Sequence, residues 1–252
     1  MPTPSLQQPE VAPDFNYASE ELDAMARAVN YYHWIWSYFS EFCGDDVLEV
    51  GAGIGTFSAM LLQWRPHLRI ECLEPAANNY RYLSERFQSD PRVVTRHSFL
   101  EVAQGVEPVS TVVAVNVMEH VPDDRQFVSL IRNRLQPGGH FLLFVPALPW
   151  IYGEMDRTYE HFRRYTRGGV ESLLRTAGFE ICQLRYMNMV GAFSWWFYGC
   201  VLRRKTLNSA DAARYDRWIV PWLRKLESGW SPPFGQSVLA VARVPDSALP
   251  GV

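Results

Sequence analysis

Three places in this 252-residue chain bring together side chains that can do chemistry. Glu119 and His120 stand side by side just beyond the apolar run "STVVAVNV". A histidine titrates where a general base is useful; the same ring can instead close a pocket or bond a loop carbonyl. The stretch "IYGEMDRTYEHFRRYT", residues 151–166, holds Tyr152, Glu154, Tyr159, His161, Arg163, Arg164 and Tyr165 ahead of a predicted helix start. Adjacent guanidiniums near the positive end of a helix suit a phosphate or carboxylate, which makes an anion clamp one reading. The other is ion pairing with Glu154, Asp156 or Glu160 that merely braces the loop. The third place is "LEVGAGIGTF", residues 48–57, where Glu49, Gly51, Gly53 and Gly55 fit E-x-G-x-G-x-G. The dinucleotide pattern G-x-G-x-x-G fails in both registers, at Thr56 and at Ser58.

The elements that must hold these groups alternate. "DVLEVG" is followed by a predicted helix over 56–64, "LRIECLE" by one over 76–87, then come "RVVTRH", "STVVAVNV", a helix over 123–135 and "HFLLFVPA". Strand and helix at this spacing imply parallel βαβ units. Pro137-Gly138-Gly139 reads as the turn that stops the helix before the fifth strand. Thr166 is placed to cap a helix that Gly178 ends, and "FEICQLRYM" and "QSVLAVARV" supply a sixth and a seventh strand. Between them lies an insertion, roughly 188–235, expected to be helical and too long for an ordinary connection. Ser19 to about Phe42 reads as an N-terminal helix with Ser19 as cap and Glu20 and Glu21 favouring its dipole. Residues 1–18 read as a flexible Pro-rich leader without the marks of a signal peptide. The expected organisation is one domain over 19–252.

In an open α/β sheet a ligand sits beyond the carboxyl ends of the strands, where the first glycine turn lies. There the backbone can pass close to a ligand, and Glu49 can accept from an ammonium or orient the loop. Glu74, nineteen residues past Gly55, is placed to grip two ribose hydroxyls, as in several nucleotide sites. The ordered set "DVLEVGAGIGTF", "CLEP", "VNVMEHVPDD" and "LQPGGHFLLFVP" resembles the class I S-adenosylmethionine-dependent methyltransferases over most of residues 45–185. The resemblance implies a Rossmann-like α/β fold with a seven-stranded sheet whose last strand is antiparallel. It implies S-adenosyl-L-methionine as cofactor, with S-adenosyl-L-homocysteine as product. It would place Glu49, Gly51, Ala52, Gly53 and Gly55 at the methionine part, Glu74 and Pro75 at the ribose, Ser98 and Phe99 at the adenine, and Asn116 and Val117 beside the cofactor. Where the family often has an acid near the adenine amino group, this chain reads "RHSFLE". Glu119 and His120 would then lie near the methyl group. The N-terminal helix would close over the cofactor mouth with Tyr31 and Trp34, although aromatics at this density on a helix also read as core.

Composition narrows the partners. A net charge of −3 gives no field for gripping nucleic acid. Cys43, Cys72, Cys182 and Cys200 form no C-x-x-C pair, so neither zinc nor a disulfide framework is expected, and the reading is a reduced, cytoplasmic chain. Asp123 and Asp124 read as helix caps, and no metal is expected. "MNMVGAFSWWFYGCVLRRK", 187–205, with Trp195 as a substrate candidate, could lie on a membrane surface; the reading adopted is a buried lid or dimer seam. The expected acceptor is a small metabolite, of secondary metabolism, with an anionic end and an apolar body. The variants are C-methylation of a prenyl diphosphate such as isopentenyl diphosphate, and O-methylation of a carboxylate, phenol or quinone precursor. A non-catalytic cofactor-binding subunit is the rival from another class.

Overall fold

The computed structural model describes residues 17, 26–103, 107–206 and 208–246. Ser19, Glu20 and Glu21 fall outside them, so the described part of the expected N-terminal helix is α1, Val29–Phe39. The alternation then follows as β1 (Asp46–Val50), α2 (Thr56–Trp64), β2 (Arg69–Leu73), α3 (Ala77–Phe87), β3 (Val93–Arg96), β4 (Val109–Val115), α4 (Asp124–Arg134) and β5 (Leu135–Pro146). α5 (Glu154–Thr158), α6 (Arg167–Thr176), β6 (Glu180–Met187), α7 (Met189–Trp195), α8 (Ser209–Trp218), α9 (Val220–Ser228) and β7 (Ser237–Arg243) complete it.

The seven strands form one sheet in the order β3-β2-β1-β4-β5-β7-β6. β7 is antiparallel to both neighbours, with Met187 of β6 opposite Ser237. Central strands are covered on both faces and accordingly read as continuous apolar runs: Val47 to Val50 and Phe141 to Pro146 are all buried. Strand order reverses between β1 and β4, which opens the crevice for a ligand at their carboxyl ends. Pro137-Gly138-Gly139 does not separate helix from strand as expected. α4 stops at Arg134, and Leu135 already pairs with Val109, with a register shift that absorbs the turn and Gly138 at φ +77°.

α1 buries Tyr31, Tyr32, Trp34, Ile35 and Phe39, a helical stripe laid on one sheet face with Leu142, Phe144 and Leu239. Trp34 is fully buried. That overturns its expected place in a lid: the aromatic stripe is core, and burial of each such side chain stabilises the fold by roughly 1.5–3 kcal/mol.

The residues between β6 and β7 form α7, whose last turn widens into a π-helical segment at Trp196–Val201, then α8 and α9. Two buried carboxylates anchor them. Asp216 accepts hydrogen bonds from the backbone N–H groups of Asn30 and Tyr31 at 3.1 and 2.8 Å, capping α1, which lacks a side-chain cap of its own. Glu227 accepts from the N–H groups of Asn188 and Met189, both at 3.0 Å, at the start of α7. Asp216→Ala therefore leaves two donors at the α1 start unpaired and should lower stability by about 1–3 kcal/mol. Thermal or urea unfolding measures this, and an unchanged midpoint would show that the insertion docks without it.

Candidate active site

A cavity of about 690 Å³ lies at the carboxyl ends of β1, β2 and β4. Its floor is the first glycine turn. Gly51 and Gly53 line it at φ +69° and +57°, and a Cβ on Gly51 would meet the Val117 side chain at 2.6 Å. Glu74 closes the turn, its carboxylate accepting from the N–H groups of Gly53 at 2.7 Å and Ala76 at 2.9 Å. Pro75, Ser98, Phe99, Asn116 and Val117 line the same cavity.

Three of the glycine-turn residues sit elsewhere. Gly55 faces α3, where a Cβ would lie 2.5 Å from the Phe87 ring, so its glycine serves helix packing and a left-handed turn at φ +76°. Ala52 is buried outside the cavity lining. Glu49 is buried too and accepts from the Ser58 hydroxyl in the first turn of α2, orienting the loop from beneath. Burial pushes its carboxyl up to about 7.

A second cavity, of about 490 Å³, lies between β5, α1 and the helices that follow β6. Asn116 and His161 line both cavities, so the two meet at these residues. Tyr31 belongs to this second cavity, while Tyr32 and Tyr17 supply aromatic wall to the first. The wall of the second is mostly apolar, with Phe144, Trp195, Tyr198, Trp218 and Ile219, and its polar groups gather around Glu119, His161, Arg164, Asn188 and Ser237.

Asp156 organises that polar end. It is fully buried and accepts from His161 Nδ1 at 2.9 Å, Arg164 Nε at 2.6 Å, Trp195 Nε1 at 3.2 Å and the Gly153 N–H at 2.9 Å. Burial alone would raise its pKa; the His161 bond, the Arg164 charge and the Gly153 N–H together hold the carboxyl below its ordinary value. An ionised Asp156 can only accept, which puts the His161 proton on Nδ1 and leaves Nε2 as the basic nitrogen.

The anion clamp does not assemble. Arg163 turns to Asp124 at 3.0 Å and to the Pro122 carbonyl, whereas Arg164 is neutralised by Asp156 and lies over the Trp195 ring at 4.6 Å. Glu154 pairs with Arg157, and the Tyr165 hydroxyl donates to the Met118 carbonyl. Tyr152 lines the first cavity and donates to the His161 carbonyl at 2.6 Å; Tyr159 is buried against His161 outside both linings. Arg164 is thus braced by one of the acids expected, Asp156, while Arg163 is held by Asp124 rather than by Glu154, Asp156 or Glu160.

His120 lines the first cavity with its ring 4.7 Å from that of His161. Burial above all, with the His161 ring beside it, pushes its pKa down to about 3, so it does not titrate in the range expected of a base. Glu119 is buried in the wall of the second cavity. Although no metal was expected, ligand atoms of Glu119, His120 and His161 lie within 4.8 Å of one another, a donor set able to hold a cation.

A family model described as a methyltransferase domain matches residues 15–184. The chain belongs to the methyltransferase-domain family. A probable S-adenosylmethionine-dependent methyltransferase of Mycolicibacterium smegmatis is 33% identical over 141 residues, covering 55% of this chain and 53% of that protein. The chain thus matches about half the length of this curated relative. The fold is shared with a putative sarcosine dimethylglycine methyltransferase of Galdieria sulphuraria, at 16% identity and TM-score 0.61 over 86% of each chain. It is also shared with phosphoethanolamine N-methyltransferase 2 of Haemonchus contortus in complex with phosphomonomethylethanolamine and S-adenosylhomocysteine, at 15% identity and TM-score 0.61 over 90% of this chain and 58% of that one. The matched residues 15–184 include the glycine turn, Glu74 and the other residues up to Phe162 that line the first cavity. Glu101, the last residue of the "RHSFLE" stretch and not singled out in the sequence, also lines this cavity, two residues beyond Phe99.

The raised Glu49 has a consequence with a definite sign. Its carboxyl stays protonated up to about 7 when folded but ionises near 4.5 when unfolded. Its favourable contribution is whole below about 4.5 and is lost as pH rises through 7. Each tenfold change in proton affinity is worth about 1.4 kcal/mol, so the loss comes to a few kcal/mol at most. Glu49→Gln should therefore gain stability over the parent protein progressively from about pH 5 to 7.5 in urea unfolding without cofactor. Parallel pH profiles for the two proteins would contradict it.

Proposed function

We propose that the protein transfers a methyl group from S-adenosylmethionine to the hydroxyl of an amphiphilic small molecule, with a phenol or quinone precursor the best-fitting acceptor. The single observation that carries this is the Asp156–His161 pair, buried at the meeting of two cavities, one fitted to the cofactor and the other walled by aromatic residues. In this reading the acceptor's apolar body lies among Phe144, Trp195 and Trp218, and its hydroxyl faces His161. Glu74 and Pro75 hold the ribose, Ser98, Phe99 and Glu101 the adenine, and Gly51, Gly53, Asn116 and Val117 the rest of the cofactor.

The chemistry asks for alignment and one proton transfer. The hydroxyl oxygen attacks the methyl carbon as its O–H proton passes to His161 Nε2. The S–CH₃ bond breaks with its electron pair on sulfur, giving S-adenosylhomocysteine. The imidazolium formed is stabilised by Asp156, which already accepts from Nδ1. His120, kept neutral by burial, packs beside the base. A prenyl diphosphate is disfavoured because the clamp it would need is spent on Asp124 and Asp156.

His161→Gln should lower kcat by about 10² to 10⁴ while cofactor affinity holds. The lost rate should return as pH rises through the acceptor's own pKa, because a phenolate needs no base. His120→Gln should change kcat by less than about tenfold. Methyl-transfer rates on a panel of alkyl-substituted phenols against pH are the measurement. Full activity in His161→Gln, or its loss in His120→Gln alone, would overturn the assignment.

A further inference from the structure

The helices between β6 and β7 carry an exposed apolar surface that extends well beyond the residues lining the second cavity. Among the described residues, eleven of the seventeen exposed large apolar side chains fall within 188–235. They include Phe193, Trp196, Phe197, Trp218, Trp222 and Leu226, with Trp222 72% and Trp218 63% exposed. This contradicts the expectation of a buried lid. A folded chain rarely leaves so many tryptophans in water unless that face meets something.

The same segment holds seven lysines and arginines, all exposed, against three acids. Two of the acids, Asp216 and Glu227, are the buried anchors. The segment is therefore strongly basic in a chain whose net charge is −3. Cations stand over the aromatic rings: Arg217 at 5.1 Å from the Trp218 ring centre, Lys225 at 5.6 Å from that of Trp222, and Arg204 at 4.6 Å from that of Tyr198. Aromatic side chains interleaved with long basic ones match the boundary of a bilayer, where rings sit at headgroup level and cations reach phosphate.

We propose that residues 188–235 form a docking face for an anionic lipid bilayer, lying on the membrane rather than crossing it. No helix among the described residues is long and apolar enough to cross. Charge decides against a second copy of the chain as occupant, because a twofold contact of this face with itself would set its cations together with almost no exposed acid to pair them. The face also adjoins an entrance: Trp218 and Ile219 are exposed and line the second cavity along with Trp195 and Tyr198. An acceptor with an apolar body would then reach His161 from the lipid side, a corollary that rests on the function proposed above.

Flotation of the full chain with phosphatidylcholine vesicles, with and without phosphatidylglycerol, tests the docking face. It needs no acceptor and so fails or succeeds apart from the His161 assignment. The protein should float with the anionic vesicles, in a salt-sensitive manner, and with a blue shift of tryptophan emission. Trp222→Ser with Leu226→Ser should abolish flotation. Arg224→Glu with Lys225→Glu should weaken it at least about tenfold while both variants retain cofactor binding. No flotation at low salt, flotation unaffected by either pair of substitutions, or a lipid-free dimer in light scattering that the Trp222 and Leu226 changes dissociate would each overturn the proposal.

Discussion

One buried carboxylate holds the centre of this molecule together. Asp156 has no access to water, and an ion so placed persists only with its acceptor sites filled by well-aimed donors. Its four donors come from the loop before α5, the loop after it and α7. The carboxylate therefore fixes the imidazole of His161, the plane of Arg164 and the indole of Trp195 relative to one another. Each of these also belongs to the wall of the aromatic cavity. Position of the His161 imidazole, shape of the cavity and neutralisation of its cation are consequences of a single desolvated charge.

The electrostatics around it follow the same logic of exclusion. Two groups that look charged in the sequence are held neutral near pH 7 or shifted towards neutrality: His120 by burial beside another imidazole, and Glu49 by burial beneath the glycine turn.

The alternating pattern made the sheet legible, because parallel strands covered on both faces must read as apolar runs and the helices between them as amphipathic ones. The place of Glu74, Gly51, Gly53 and Val117 in the cavity wall was legible for a related reason: they lie within a few residues of a strand end, so sequence position determines their surroundings. The rest was written in distances the chain conceals. Arg163 and Arg164 are neighbours in sequence, yet one reaches α4 and the other Asp156. Of His120 and His161, only packing reveals that the second ring has a buried carboxylate partner. Trp34 and Tyr31, three residues apart on α1, divide between core and cavity. Asn188, which no motif singled out, donates to Gln236 and accepts from Gly191 and the Tyr215 hydroxyl; an asparagine directly before a helix was the available clue to its capping role.

Met187 and Ser237 face each other across β6 and β7, so everything from 188 to 236 is, topologically, the loop of one hairpin. Closing a longer loop costs slowly, about 0.6 kcal/mol for each doubling of its length. The segment that walls the aromatic cavity can thus grow, shrink or be exchanged with little penalty to the sheet and without moving a strand register. The cofactor half, threaded through five parallel strands, has no such freedom. In this architecture the wall of the aromatic cavity is free to diverge by editing a single loop, while the cavity over the glycine turn stays where the sheet holds it.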